Sequence, residues 1–143
     1  MLCLDASYVV NVLSNLLSDI DLARWESWID DERQLIAPHH MRSEVVNALH
    51  KAWRRGDADD EFVRRAIAGL TAIPIRYLDD ARLPTEAIGI AREYKMPTTY
   101  DAFYVALAAR HGADLVTSDH KLWTATSPRL SWVHYVPERP ATP

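Results

Sequence analysis

Cysteine is nearly absent from this chain of 143 residues: Cys3 stands alone. A single thiol can form no internal disulfide and no thiolate metal cluster, and it is expected to lie buried in a strand as a small hydrophobe. Long apolar runs are also missing. No stretch approaches the roughly 20 apolar residues that a membrane-spanning helix needs, so no membrane role is expected. The first residues, Met1-Leu2-Cys3-Leu4-Asp5, lack a basic flank and reach an acid at once, unlike a signal peptide. A cytoplasmic protein is the expectation. Basic charge is not in excess either, and the formal net charge of −4 counts against the usual footprint of a nucleic-acid binder. It does not exclude one, because acids gathered in one pocket lower the total while basic residues elsewhere still meet phosphates. Lys51, Arg54 and Arg55, with Arg64 and Arg65 nearby, are the basic clusters, although a solvated helix face explains either one alone.

With 48% hydrophobic and 25% charged residues, the composition is that of a globular protein. The length suits one domain with a real core. There is no internal repeat or interdomain linker. A single domain over residues 1–136 is expected, followed by a Pro-rich C-terminal tail, 137–143.

Short apolar runs alternate with longer helical patterns. Leu2-Cys3-Leu4 reads as a strand and Ala6 to Leu17 as a helix. Asp21 to Asp31 is a second helix, with Leu22, Trp25 and Ile29 on one face. Gln34 to Ala37 is a strand closed by Pro38. From about His40 to Arg55, Met41, Val45, Leu49 and Ala52 recur at helical spacing. Gly56 ends that helix, and Asp57 to Asp60 offers a cap for the next, whose apolar stripe is Phe62, Ala66, Ile67 and Leu70. Pro74 to Leu78 is a third strand and Ala81 to Tyr94 a helix. Thr98 to Arg110 has threonine caps and is apolar on nearly every side, so it should be buried. Asp114 to Thr117 and Trp132 to Val136 complete the strands. Trp25, Trp28, Trp53, Trp123 and Trp132 are assigned to core and interfaces. The alternation predicts an α/β fold: a mostly parallel sheet of about five strands with helices on both faces.

In open parallel sheets, ligands sit beyond the carboxyl ends of the strands, near the point where strand order reverses. Asp5 follows the first strand and Asp119 the fourth. If those strands are neighbours, both carboxylates open onto one crevice. Asp101 lies in the first turn of the buried helix, and Glu44 early in the helix after the second strand. Each acid has a plainer reading. Asp5 and Asp119 could be turn or cap residues, Asp101 could answer a helix dipole, and Glu44 could be a solvated helix residue. Asp101 is the odd one, an acid opening a helix too apolar for the surface. Four converging carboxylates resist joint ionisation unless a cation neutralises them. Oxygen-only donors suit a hard divalent ion such as Mg²⁺.

The strings Leu4-Asp5-Ala6-Ser7, Ser43-Glu44-Val45-Val46-Asn47-Ala48-Leu49, Tyr100-Asp101-Ala102-Phe103-Tyr104-Val105-Ala106-Leu107-Ala108 and Leu115-Val116-Thr117-Ser118-Asp119 resemble the PIN-domain toxins of the VapC family, in the family's order. The second and third are the most specific. The resemblance extends from Leu2 to about Val136 and implies that Asp5, Glu44, Asp101 and Asp119 form an acidic metal site. Asp5, Asp101 and Asp119 would hold the ion directly, and Glu44 directly or through water. Ser7 and Thr117 fall where hydroxyls could bond the carboxylates or metal-bound water; equally they could be ordinary caps. The family further implies a homodimer and a small antitoxin partner.

The chemistry so implied is Mg²⁺- or Mn²⁺-dependent hydrolysis of RNA, leaving 5′-phosphate and 3′-hydroxyl ends, with the metal acidifying an attacking water. Three other readings compete. A receiver-type signalling module needs paired acids after the first strand and a lysine after the last, where this chain has Asp5-Ala6 and Asp119. Asp79-Asp80 does not restore that pattern. Haloacid-dehalogenase-type phosphatases resemble D-x-D, and here Asp5-Ala6-Ser7 stands. A non-catalytic PIN-like module that binds RNA or protein is the remaining alternative, and loss of an acid would have marked it. The six histidines form no recognisable ligand spacing.

Overall fold

Five short hydrophobic segments form the sheet: β1 (Leu2–Leu4), β2 (Leu35–Pro38), β3 (Ile75–Leu78), β4 (Asp114–Thr117) and β5 (Val133–Tyr135). The structure is a computed structural model that describes residues 1–140; the end of the expected tail, Ala141, Thr142 and Pro143, lies outside the described residues. Neighbouring strands all pair in parallel, in the order β3-β2-β1-β4-β5. Every residue of β1 and β2 is buried, as expected for a parallel sheet covered on both faces. Cys3 is fully buried in β1, and burial pushes its thiol pKa up.

The helices are α1 (Ala6–Leu13), α2 (Asp19–Asp30), α3 (Met41–Arg55), α4 (Asp60–Ala72), α5 (Leu83–Glu93), α6 (Tyr100–His111) and α7 (His120–Thr126). They pack in groups, with α1, α3 and α4 against one another and α5 against α6, which itself lies on β1, β2 and β4. Met41, Val45 and Leu49 turn the buried stripe of α3 inward. Gly56, at φ 81°, ends that helix in the left-handed conformation, where a Cβ would be strained. Asp59 then caps α4 by accepting from the Phe62 amide at 2.7 Å.

Several boundaries differ from the sequence reading. The first helix stops at Leu13 rather than Leu17, because Asn15 turns left-handed at φ 54°. The Leu16 amide then closes the helix end by donating to the Asn11 carbonyl at 2.9 Å, a role asparagine tolerates. The second helix begins at Asp19, earlier than expected, because the Ser18 hydroxyl caps it by accepting from the Asp21 amide. Pro38 belongs to β2 instead of closing it, since it stands at the strand's carboxyl end and pairs with Leu78. Thr99 occupies the cap position of α6 but makes no side-chain cap bond. The short α7 was not foreseen, and Asp119 starts it. Ile67 and Trp53 are 41% and 47% exposed, so neither serves the core; Trp53 stacks on His50 along the outside of α3. Residues 137–140 have no regular secondary structure, yet the Arg139 amide donates to the Leu16 carbonyl at 2.6 Å.

Candidate active site

The chain leaves β1 toward β2 and β3 on one side, then returns to place β4 on the other. The strand order therefore reverses between β1 and β4, and open parallel sheets hold ligands beyond the carboxyl ends at such a point. Leu4 pairs with Val116, which sets Asp5 beside Thr117. The Thr117 hydroxyl donates to Asp5 Oδ2 at 2.6 Å, and the Ser7 hydroxyl donates to the same oxygen at 2.5 Å. Ser7 reaches it because it lies in the first turn of α1, two residues beyond Asp5. Asp5 stands at the cap position of that helix but makes no side-chain cap bond. Its carboxylate is instead committed to the two hydroxyls, so the plain cap reading fails here.

Asp119 behaves differently. Its Oδ1 caps α7, accepting from the Lys121 and Leu122 amides at 2.7 and 3.2 Å. The plain reading is therefore fulfilled for one of its oxygens. The loop around it is held by the same hydroxyls: the Asp119 amide donates to Thr117 Oγ1 and the Ser118 amide to Ser7 Oγ. Ser7 and Thr117 thus bind the ends of β1 and β4 together, beyond any role as caps.

Glu44, in the first turn of α3, accepts a hydrogen bond from the Tyr104 hydroxyl. Tyr104 is fully buried on α6 and ties Glu44 to the helix that carries Asp101. His40 Nε2 lies 3.5 Å from Glu44 Oε2, packed against the rings of Tyr100, Phe103 and Tyr104. Burial lowers its pKa, so the neutral ring is favoured and contributes no full charge. Sequence reasoning passed over both residues. The four-residue spacing of His40 and Glu44 on one helix face was an available signal; nothing local announced Tyr104.

Electrostatics join the four acids. Burial raises the pKa of Asp5, opposed by its two hydroxyl bonds and reinforced by Asp119. Burial also raises Glu44, opposed by the Tyr104 bond and reinforced by Asp5 and Asp101. Asp101 is pushed up to about 6, by burial first and then by Asp5 and Asp119. Residues from β1, α3, α6 and the β4–α7 turn therefore feel one another's charge. Among the described residues no group of three or more His, Cys, Asp or Glu side chains is closed to the spacing that holds an ion. Asp119 Oδ1 is engaged by the α7 amides and Glu44 Oε2 by the Tyr104 hydroxyl. The donor chemistry, four coupled carboxylates and no sulfur, fits a hard divalent cation.

Tyr104→Phe tests the support given to Glu44. The substitution keeps the ring and removes the donor, which should raise the Glu44 pKa further. Loss of such a supporting hydrogen bond typically weakens metal binding by roughly 10- to 100-fold. Calorimetric titration with Mn²⁺ checks it; an unchanged affinity would detach Tyr104 from the site.

Four coupled acids beyond the strand ends, where the order of a five-stranded parallel sheet reverses, place this chain among the open α/β proteins whose usual ligand position is that point. The family model described as PIN domain matches residues 2–125, and the chain belongs to that family. It is similar to Ribonuclease VapC1 from two strains of Mycobacterium tuberculosis, 37% identical over 92 residues. That match covers 62% of this chain and 65% of each relative's length. The crystal structure of PAE2754 from Pyrobaculum aerophilum superposes with a TM-score of 0.64 at 26% identity, covering 90% of this chain and 88% of that one.

Proposed function

We propose that this chain is a metal-dependent endoribonuclease, the VapC-like toxin of a toxin–antitoxin pair, with residues 1–136 as its nuclease domain. The observation that carries the reading is the electrostatic coupling of Asp5, Glu44, Asp101 and Asp119 at the switch point. A surface cap or a solvated acid has no reason to share its charge with two or three others. The likeness to Ribonuclease VapC1 supports RNA as the substrate and an antitoxin protein as the partner. A homodimer is the expected assembly, on family likeness alone.

Asp5, Asp101 and Asp119 would hold Mg²⁺ or Mn²⁺, with Glu44 completing the set directly or through water. The ion, when bound, supplies positive charge at the phosphodiester and acidifies water for attack on phosphorus. The chain's own groups prepare that site. Thr117 and Ser7 fix the Asp5 carboxylate in one orientation, and Tyr104 does the same for Glu44. The Asp119 cap holds α7 against the crevice and keeps that carboxylate at its rim.

Cleavage of total RNA by the purified protein should require added Mg²⁺ or Mn²⁺, stop on chelation and return when metal is restored. Full activity after exhaustive chelation and dialysis would remove the mechanism. Metal-saturated protein that binds RNA without cutting it would leave the non-catalytic alternative.

A further inference from the structure

We propose that the cavity between α2 and α7 is a binding track for single-stranded RNA, taking the stretch of substrate next to the cleaved bond. The proposal rests on the ribonuclease reading and locates the substrate beyond the four acids. The cavity lies over β4 and β5, with a volume of about 590 Å³, and Arg24, Trp28, Arg33, Trp123, His134 and Tyr135 line it.

One end of it adjoins the acid site. Tyr135 pairs in register with Thr117, whose hydroxyl holds Asp5, and neighbouring strands lie about 4.8 Å apart. The Trp123 and Tyr135 rings stack at 5.5 Å with planes 24° apart. His120, next to Asp119 in the chain, packs on both rings at 5.7 and 5.4 Å. The other end lies at the amino ends of the strands, where Leu2, Asp114 and Arg33 line the wall. Four residues of β4 rise by roughly 10–13 Å, a length that accepts about three stacked nucleotides.

The lining has the chemistry of a single-strand site, which pairs aromatic faces for bases with cations for the backbone. The rings are already placed. Trp28 is fixed by Tyr8 at 6.2 Å, and Trp123 by Tyr135, so little ordering is needed on binding. The two arginines outnumber the one carboxylate in the wall, Asp114, which faces His134 at 3.4 Å. Arg24 is tied to Asp21 at 3.1 Å. Arg33 enters none of the ion pairs among the described residues, which leaves it for a phosphate. A protein partner would draw on exposed aliphatic surface, and Ile20, Val46, Ile67 and Ile88 all lie outside this cavity.

The test is binding by the full chain in chelator, where no cleavage occurs. A fluorescent, unstructured RNA octamer is titrated by anisotropy at several salt concentrations. Trp123→Leu and Trp28→Leu should each weaken binding by about tenfold, since one base loses its stacking partner. Arg33→Gln, at an exposed side chain that should not disturb folding, should lower the slope of log K against log salt by about one phosphate contact. Lys51→Gln, exposed on α3 and outside the cavity lining, should change neither. Melting temperatures near wild type certify the variants. No RNA binding by the wild type would overturn the track. So would Arg33→Gln with unchanged affinity and salt slope, or cavity variants that keep RNA and lose only a co-purified protein. Metal-dependent cleavage by the wild type is measured separately: cleavage beside cavity variants that bind RNA normally overturns the track alone, and no cleavage overturns the ribonuclease reading, so the two can fail independently.

Discussion

Asp5→Asn is expected to lower RNA cleavage by roughly a thousandfold or more while leaving the metal-free fold as stable as the wild type, or slightly more so. The size follows from the several kcal/mol that a catalytic ion supplies in the transition state, at tenfold per about 1.4 kcal/mol. The stability follows from the site. Asn is nearly isosteric, and its carbonyl oxygen can still accept from Ser7 and Thr117, which both bond the same oxygen of Asp5. The substitution also removes a buried charge that burial and Asp119 already disfavour. Function and stability often oppose each other in this way. Added metal should reverse the order. A ligand that binds only the native state stabilises it through linkage, by about 2.7 kcal/mol at a hundredfold excess over Kd. For a domain of this size that corresponds to a melting shift of roughly 5–10 °C. Wild type should show this gain with Mn²⁺, and Asp5→Asn much less. Equal gains would mean that Asp5 is not a ligand, and the four-acid site would lose its centre.

The second large effect concerns pH. The Asp101 carboxyl is raised from its ordinary value of 3.8 to about 6, so the folded protein holds this proton more tightly than the unfolded chain does. Its contribution to stability is therefore full below about pH 4 and lost as the pH rises through about 6. Asp5 and Glu44 are shifted in the same direction. The metal-free protein should accordingly melt higher at pH 5 than at pH 7.5, and Asp101→Asn should show a smaller difference. Metal affinity should run the other way, because an ion must displace the proton. With one proton in competition, the association constant should fall roughly tenfold per pH unit below about 6. Melting curves and Mn²⁺ titrations across this range decide both. A metal affinity flat from pH 5 to 7.5 would show that Asp101 does not bind the ion.

The same acids show how far a sequence carries. Asp5 and Asp119 were legible because each follows a run of strand-forming residues, and the alternation of strands and helices implied parallel pairing. The order of the strands was not in the pattern. That β4 rather than β3 lies beside β1 depends on which faces pack, and only that adjacency brings Asp5 and Thr117 together. Asp101 was conspicuous because an acid opened an apolar helix. Its raised pKa, by contrast, comes first from burial and then from neighbours 96 and 18 positions away in the chain, Asp5 and Asp119.

By itself, then, the sequence determined the parallel α/β class, the buried lone thiol and the glycine stop after α3, and it singled out the four acids proposed as the site. These follow from local periodicity, backbone freedom and residue type, which neighbours in the chain suffice to set. The tertiary structure alone decided that Tyr104 bonds Glu44, that Ser7 and Thr117 clasp one oxygen of Asp5 and that Asp119 also caps α7. It alone decided that Trp53 faces outward while Trp28 and Trp123 line a cavity. Side-chain direction and burial are set by contacts between segments far apart in the chain, and such contacts exist only once the sheet has closed its strand order.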